Sequence, residues 1–257
     1  MKLRNLFLAA LAICTMASCS KDETTDYSRM GEVDAYVSFG VTAALETKAT
    51  ADSEIKEKEA KVQKLTALIF KGTDDNATFV TSKTETATGE ATISEIKHLV
   101  VKVTPNADGT SSSDEFIAVF LGNCEEIATP ATLGALKNAV LTKKADSYAI
   151  GSVLPMVSKE IKIKGLRPNI KKGDGSTDWY ENWVKNGGGV VANATASETD
   201  PETAPDAYKA TDYVVLTRLI SRVQVESVKL KLTEYPGASI TLKKIALANV
   251  KTQSGFA

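Results

Sequence analysis

The stretch VDAYVSFGV, residues 33 to 41, sets Val33, Ala35, Val37, Phe39 and Val41 at every second position, with Asp34, Tyr36, Ser38 and Gly40 between them. Successive side chains on a strand point to opposite faces, so this spacing predicts a β-strand with one face on a core. The same reading recurs outward from it. Val62 to Phe70 (VQKLTALIF) is apolar enough for a buried strand, closed by the turn Lys71-Gly72-Thr73-Asp74-Asp75-Asn76. Leu99 to Val103 is a strand that ends at the turn segment Pro105 to Asp114, and Phe116 to Leu121 (FIAVFL) is a near-continuous apolar run suited to a central strand. Residues 129 to 142 (TPATLGALKNAVLT) read as a helix with Thr129 as N-cap, Pro130 at the first helical position, and Leu133, Leu136, Val140 and Leu141 as its buried stripe.

Ile150 to Val157, Glu160 to Lys164, Tyr213 to Leu216, Arg218 to Leu232 and Ser239 to Val250 are further strand candidates. In the polar residues 46 to 61, Glu54/Lys58 and Glu57/Lys61 have the i,i+4 spacing of a short solvated helix, and an exposed linker fits equally well. Residues 165 to 210, rich in Gly, Asn, Thr, Asp and Pro, read as a long loop with Gly187-Gly188-Gly189 as its most flexible point. The sum is mainly β with one short helix, the pattern of a β-sandwich.

The first 19 residues read MKLRNLFLAALAICTMASC. Lys2 and Arg4 form a positive start, and the apolar run from Leu6 to Ile13 is too short to span a bilayer. Met16, Ala17 and Ser18 leading into Cys19 resemble a bacterial lipobox, in which cleavage falls between Ser18 and Cys19 and the Cys19 thiol receives a diacylglyceryl group. An ordinary secretory signal with an incidental cysteine is the plainer alternative. On the lipoprotein reading, residues 1–18 are the signal peptide and 19–32 a polar tether, and the chain is anchored to a membrane rather than spanning it.

Composition narrows the chemistry. At 43% hydrophobic residues the chain can build a core, and at 6% aromatic that core must be mainly Val, Ile, Leu and Ala. A net charge of -1, without any long basic block, gives no electrostatic case for nucleic acid. Outside the leader only Cys124 remains, and His98 is the only histidine, so no CxxC site and no catalytic pairing that needs a second histidine can be built. Asp52, Glu54, Glu57 and Glu59 alternate with lysines and match no calcium loop, and Lys172-Gly173-Asp174-Gly175-Ser176 lacks the phosphate-loop pattern. The chain therefore reads as a non-enzyme with no metal and no cofactor. Asp174 reads as a turn residue, His98 as a surface or edge residue and Cys124 as a small core residue. Trp179, Tyr180 and Trp183 cluster in the long loop, where they would either stack on a sugar or cap the end of the sandwich.

Several segments together resemble the fimbrillins, the major and minor fimbrial subunits of Gram-negative anaerobes. They are the lipobox, KVQKLTALIFKG (Lys61 to Gly72), FIAVFLGN (Phe116 to Asn123) with the helix through Leu136, LPMVSKEIKI (Leu154 to Ile163), VVLTRLISRVQVESVKLKL (Val214 to Leu232) and LKKIALANV (Leu242 to Val250). The resemblance implies a transthyretin-like Greek-key β-sandwich over residues 33–211, followed over 212–257 by the start of a second β domain. Those last residues are too few to close a typical two-sheet domain, and KTQSGFA shows no recognisable donor strand.

The resemblance also implies a subunit of a surface fimbrium, lipid-anchored at the cell outer membrane during export. A surface protease of trypsin-like, Arg or Lys specificity would remove an N-terminal segment containing the first strand. Other fimbrial subunits would then be the partners, through strand addition. Lys48-Ala49 in LETKATAD is the candidate cut, with Lys56, Lys58 and Lys61 as rivals. A lipid-retained anchor or tip adhesin, and a glycan-binding surface lipoprotein that uses Trp179, Tyr180 and Trp183, are the alternatives.

Overall fold

The computed structural model describes residues 25–44, 53–139, 148, 151–220, 234, 237–239, 241–242 and 255–256. Among the described residues, eleven strands and two short α-helices follow one another in the order β1 (Val33–Ala43), α1 (Ser53–Ala60), β2 (Lys64–Lys71), β3 (Thr78–Thr86), β4 (Glu95–Val103), β5 (Glu115–Gly122), α2 (Leu133–Asn138), β6 (Met156–Ser158), β7 (Ile161–Lys164), β8 (Ile170–Lys171), β9 (Thr177–Val184), β10 (Val190–Thr195) and β11 (Val214–Arg218). The fold is mainly β, a mixed sheet curled so that two layers face each other across a core.

One layer holds β4, β1, β9 and β10, with β8 on the outer part of β9. The other runs β11-β6-β5-β2-β3, with β7 also on β5. Strand β1 belongs to both layers. Its first part pairs antiparallel with β4 and parallel with β9, and its end, Val41–Ala43, pairs parallel with β11.

The core between the layers takes Ala35, Val37, Phe39 and Val41 from β1. Beside them in the same layer are Ile96, Leu99, Val101 and Val103 of β4, and facing them are Leu65, Ala67 and Ile69 of β2 and Phe116, Ala118 and Phe120 of β5. The intervening residues of β2 and β5 are apolar too, because a second cluster covers the far side of those strands. There Leu68, Phe70, Ile117, Val119 and Leu121 meet Leu133 and Leu136 of α2, Cys124 and Phe256. A strand covered on both faces has no need of alternation, which accounts for the unbroken run FIAVFL.

Asn123 ends β5 in the left-handed conformation, φ 53°. Its carboxamide oxygen accepts from the backbone N–H groups of Gln63 (2.8 Å) and Lys64 (3.2 Å), while its amide donates to the carbonyls of Lys61 (2.7 Å) and Leu154 (3.0 Å). One side chain thus joins the start of β2, the end of β5 and the approach to β6. Cys124 beside it is buried, and burial pushes its thiol up to about 11.

Three local expectations need correction. The helix starts later than Thr129: Thr132 is the N-cap, accepting from Ala135 N–H at 3.2 Å. The reason is that the residues before it are drawn into an extended contact with β3, where Phe79 N–H donates to the Ala131 carbonyl and Thr132 bridges to Thr78. Val140 and Leu141 lie outside the described residues.

Residues 165–210 are not one long loop, since they carry β8, β9 and β10. Gly188 turns the β9–β10 hairpin at φ 83°, and a Cβ there would sit 1.8 Å from the Lys162 carbonyl oxygen, so packing rather than flexibility requires glycine. Finally, the boundary at 211/212 falls beside a strand of the first domain's own sheet, because β11 lies between β1 and β6. Most of the residues assigned to a second domain, including the strands from Arg218 to Leu232 and Ser239 to Val250 beyond Ile220, lie outside the described residues.

Candidate functional site

The feature that sets this molecule apart is the seat of β1. A strand in one layer of a sandwich normally shows one face to solvent, yet Ala35 through Val41 are buried at every position. The inward face accounts for half of this. The outward face carries Tyr36, Ser38 and Gly40, and each is covered by a specific partner.

Tyr36 is 1% exposed. Its ring lies 4.1 Å from that of His98 and stacks at 5.9 Å and 7° on Trp179. Burial, with the Glu198 carboxylate nearby, pushes its phenol up to about 12. Ser38 donates its hydroxyl to Glu181 Oε1 at 2.7 Å and accepts from His98 N–H at 3.1 Å. The other oxygen of Glu181 is 3.0 Å from His98 Nδ1, and both Ser38 and Glu181 are fully buried.

His98 is therefore not a plain edge residue. The β1–β4 register slips between Val37 and Phe39, and the extra residue, His98, takes a positive φ of 60° that swings its ring over β1. Glu181 is a functional residue that sequence reasoning missed. A carboxylate within residues 165–210, which read as a loop, looks solvent-facing until the cover above it is seen.

Gly40 is met most closely of the three. Its N–H donates to the Tyr208 hydroxyl at 2.8 Å, and that hydroxyl donates to the Val184 carbonyl at 3.1 Å. The phenol thus fills the gap where β1 leaves β9 for β11, and its pKa is raised to about 12, first by burial. Tyr213 stacks on Tyr208 at 5.7 Å, and a Cβ on Gly40 would meet the Tyr213 ring at 2.5, 2.6 and 2.9 Å. Trp183, fully buried, also packs against Tyr208, its ring tilted at 5.2 Å.

The remaining backbone groups along this edge are taken up in relay. Asp34 carbonyl accepts from Asn169 N–H (2.8 Å) and Tyr36 carbonyl from the Asn182 amide (2.8 Å), while Ala44 N–H donates to Leu216 carbonyl (2.8 Å).

The other expected site residues fall as follows. Trp179, Tyr180 and Trp183 all lie on β9, but on opposite faces. Trp179 and Trp183 cover β1, whereas Tyr180 packs under the Arg167 guanidinium at 3.8 Å and receives its hydrogen bond at 2.8 Å. Their rings are engaged inside the protein, and Trp183 offers no open face. Asp174 does hold a turn, accepting from Ser176 N–H (2.9 Å) and hydroxyl (2.6 Å). Ser18, Cys19, Lys48 and Ala49 lie outside the described residues.

A mainly β chain whose first strand is clasped on both faces and both edges is built as a structural unit around a strand seat. The family model for the major fimbrial subunit protein (FimA) matches residues 35–201, well over half of the 257 residues, and the chain belongs to that family. Three solved structures resemble it. One is a cell adhesion protein from Parabacteroides distasonis, 17% identical with TM-score 0.40, the match covering 73% of this chain and 46% of that one. Another is a fimbrilin from Porphyromonas gingivalis, also 17% identical with TM-score 0.40, covering 73% and 40%. The third is a tip fimbrial protein of the same organism with a C-terminal truncation, 16% identical with TM-score 0.37, covering 72% and 48%. The chain thus spans less than half the length of each of these structures. No curated protein matches it.

Proposed function

We propose that this chain is a subunit of a surface fimbrium, exported as a lipoprotein through Cys19 and assembled by strand addition after proteolysis removes the N-terminal segment with β1. Membership of the fimbrial family supports a structural role in the fimbrium. The observation that carries the finer reading is the placement of β1. Every position from Ala35 to Val41 is buried, yet the strand lies near the N-terminal end of the described chain, with only residues 44–52 between it and α1. Lys48-Ala49 falls in that segment.

Energetics favour replacement over a vacant seat. Burial of Val37, Phe39 and Val41 stabilises by about 1.5–3 kcal/mol each, about 5–9 kcal/mol together. Net domain stability is about 5–15 kcal/mol. Loss of β1 would also leave unpaired the ladder groups of β4, β9 and β11, at about 1–3 kcal/mol for each that stays buried. The cleft would then be strongly driven to take another strand, and an outer-membrane chain meets such strands in other fimbrial subunits. A trypsin-like surface protease would supply the cut. The N-terminus of the surface form tests this: Ala49 fits a polymerised subunit, while an acylated Cys19 retained on the fibre would show an anchor or tip protein instead.

A further inference from the structure

We infer that the β1 seat selects its incoming strand by the outward face as well as the apolar inward one, requiring aromatic, hydroxyl and glycine at the places of Tyr36, Ser38 and Gly40. This rests on the strand-exchange reading and adds the identity of the partner: a strand of a fimbrial subunit patterned aromatic–apolar–Ser/Thr–apolar–Gly.

The residues that impose the pattern all stay behind when β1 leaves. At the glycine position, Tyr213 stands 2.5 Å from where a Cβ would be. Tyr213 cannot simply turn aside, because its ring rests on Tyr208, which Trp183 packs against and which the Val184 carbonyl holds through the hydroxyl. A side chain on the incoming strand would dislodge the phenol that must also receive the strand's own N–H. At the hydroxyl position, Glu181 is fully buried, and its Oε1 has Ser38 as its hydrogen-bond donor. An apolar residue there would leave a carboxylate oxygen buried without a donor, a penalty that excludes the wrong strand more than it rewards the right one. At the aromatic position, the slot lies between the His98 and Trp179 rings.

The seat thus carries repulsive elements as well as attractive ones, which is how discrimination among strands of similar hydrophobicity arises. By contrast Thr42, one pleat further on, is exposed and imposes nothing.

The test uses the full-length protein with a single engineered protease site within residues 45–52. After cutting, it is challenged with labelled peptides of the Val33–Ala43 sequence. Uptake of the parent peptide and of Thr42→Val should agree within about twofold, and Gly40→Val and Ser38→Val should each be weaker by about tenfold or more, the equivalent of one overpacked or unpaired group. If the parent enters and the Gly40→Val and Ser38→Val peptides enter equally well, the selectivity is refuted while strand exchange stands. If the parent peptide itself never enters the cut protein, strand exchange fails and the selectivity falls with it.

Discussion

Gly40→Ala is the smallest change that probes the clasp on β1. The added Cβ would lie 2.5 Å from Tyr213 Cδ1, 2.6 Å from Cε1 and 2.9 Å from Cγ. Carbon atoms pack at about 3.5–4.0 Å, so the ring must retreat by about 1 Å, and because Cγ is involved it cannot escape by rotation alone. Its retreat presses on Tyr208, whose hydroxyl holds Gly40 N–H and Val184 carbonyl. Overpacking of this kind costs about 1–3 kcal/mol and a weakened buried hydrogen bond about 1 more. Replacing glycine in a strand returns about 0.5–1 kcal/mol through the unfolded chain. The expected net loss is about 1.5–3 kcal/mol. Urea unfolding followed by tryptophan fluorescence measures it, and Trp183 beside Tyr208 reports the local disturbance directly. In Tyr213→Ala the same glycine substitution should cost almost nothing, giving a coupling of about 1–3 kcal/mol in the double-mutant cycle. A loss under about 0.5 kcal/mol in the single variant, or strictly additive effects, would refute the steric argument.

Other consequences can be checked in the same way. Asn123→Ala should destabilise by about 3 kcal/mol or more, since it removes four hydrogen bonds and with them the short polar side chain that lets asparagine hold a positive φ, and Asn123→Gly should recover about 1 kcal/mol by relieving the backbone alone; equal losses would show that the φ is unstrained. In a spectrophotometric titration of the seven tyrosines, Tyr36 and Tyr208 should ionise last, near 12; their neutral forms stabilise the fold fully below the ordinary tyrosine value, and that contribution is lost as pH rises through about 12. Asp114 is partly desolvated, which raises its pKa, but hydrogen bonds from Thr104 N–H and Ser112 and the Lys71 ammonium outweigh this and hold it below its usual value. Its contribution is complete above the ordinary carboxylate value and disappears as pH falls through the lowered one, so Asp114→Asn should flatten the acid limb of a melting-temperature profile.

Much of the sandwich was legible because its strands carry apolar periodicity. VDAYVSFGV, VQKLTALIF and FIAVFL all became strands near their expected bounds. The strands that escaped notice are those whose side chains are polar for local reasons. β3, Thr78–Thr86, is an exposed rim rich in threonine, and Thr84 meets Thr66 across the ladder at 2.9 Å. In β9 the buried positions include Glu181 and Asn182, which only partners far away in the chain can satisfy: Ser38, His98, Arg167 and the Tyr36 carbonyl. Long-range polar pairing leaves no periodic trace in a single sequence. Likewise, the alternation in β1 pointed to one buried face, and the second came into view only about 170 residues on, with Tyr208 in a segment that reads as loop and Tyr213 at the head of a strand candidate. The helix start was misplaced because Thr129-Pro130 carries a good N-terminal signal, and a backbone contact with β3 overrode it.

The most direct test is a structure of the assembled fibre at a resolution that identifies side chains along β4, β9 and β11. The account predicts a strand from a neighbouring subunit in this cleft, with a glycine against Tyr213 and Val33–Ala43 of the same chain gone. Finding each subunit's own Val33–Ala43 still seated throughout the fibre would contradict it.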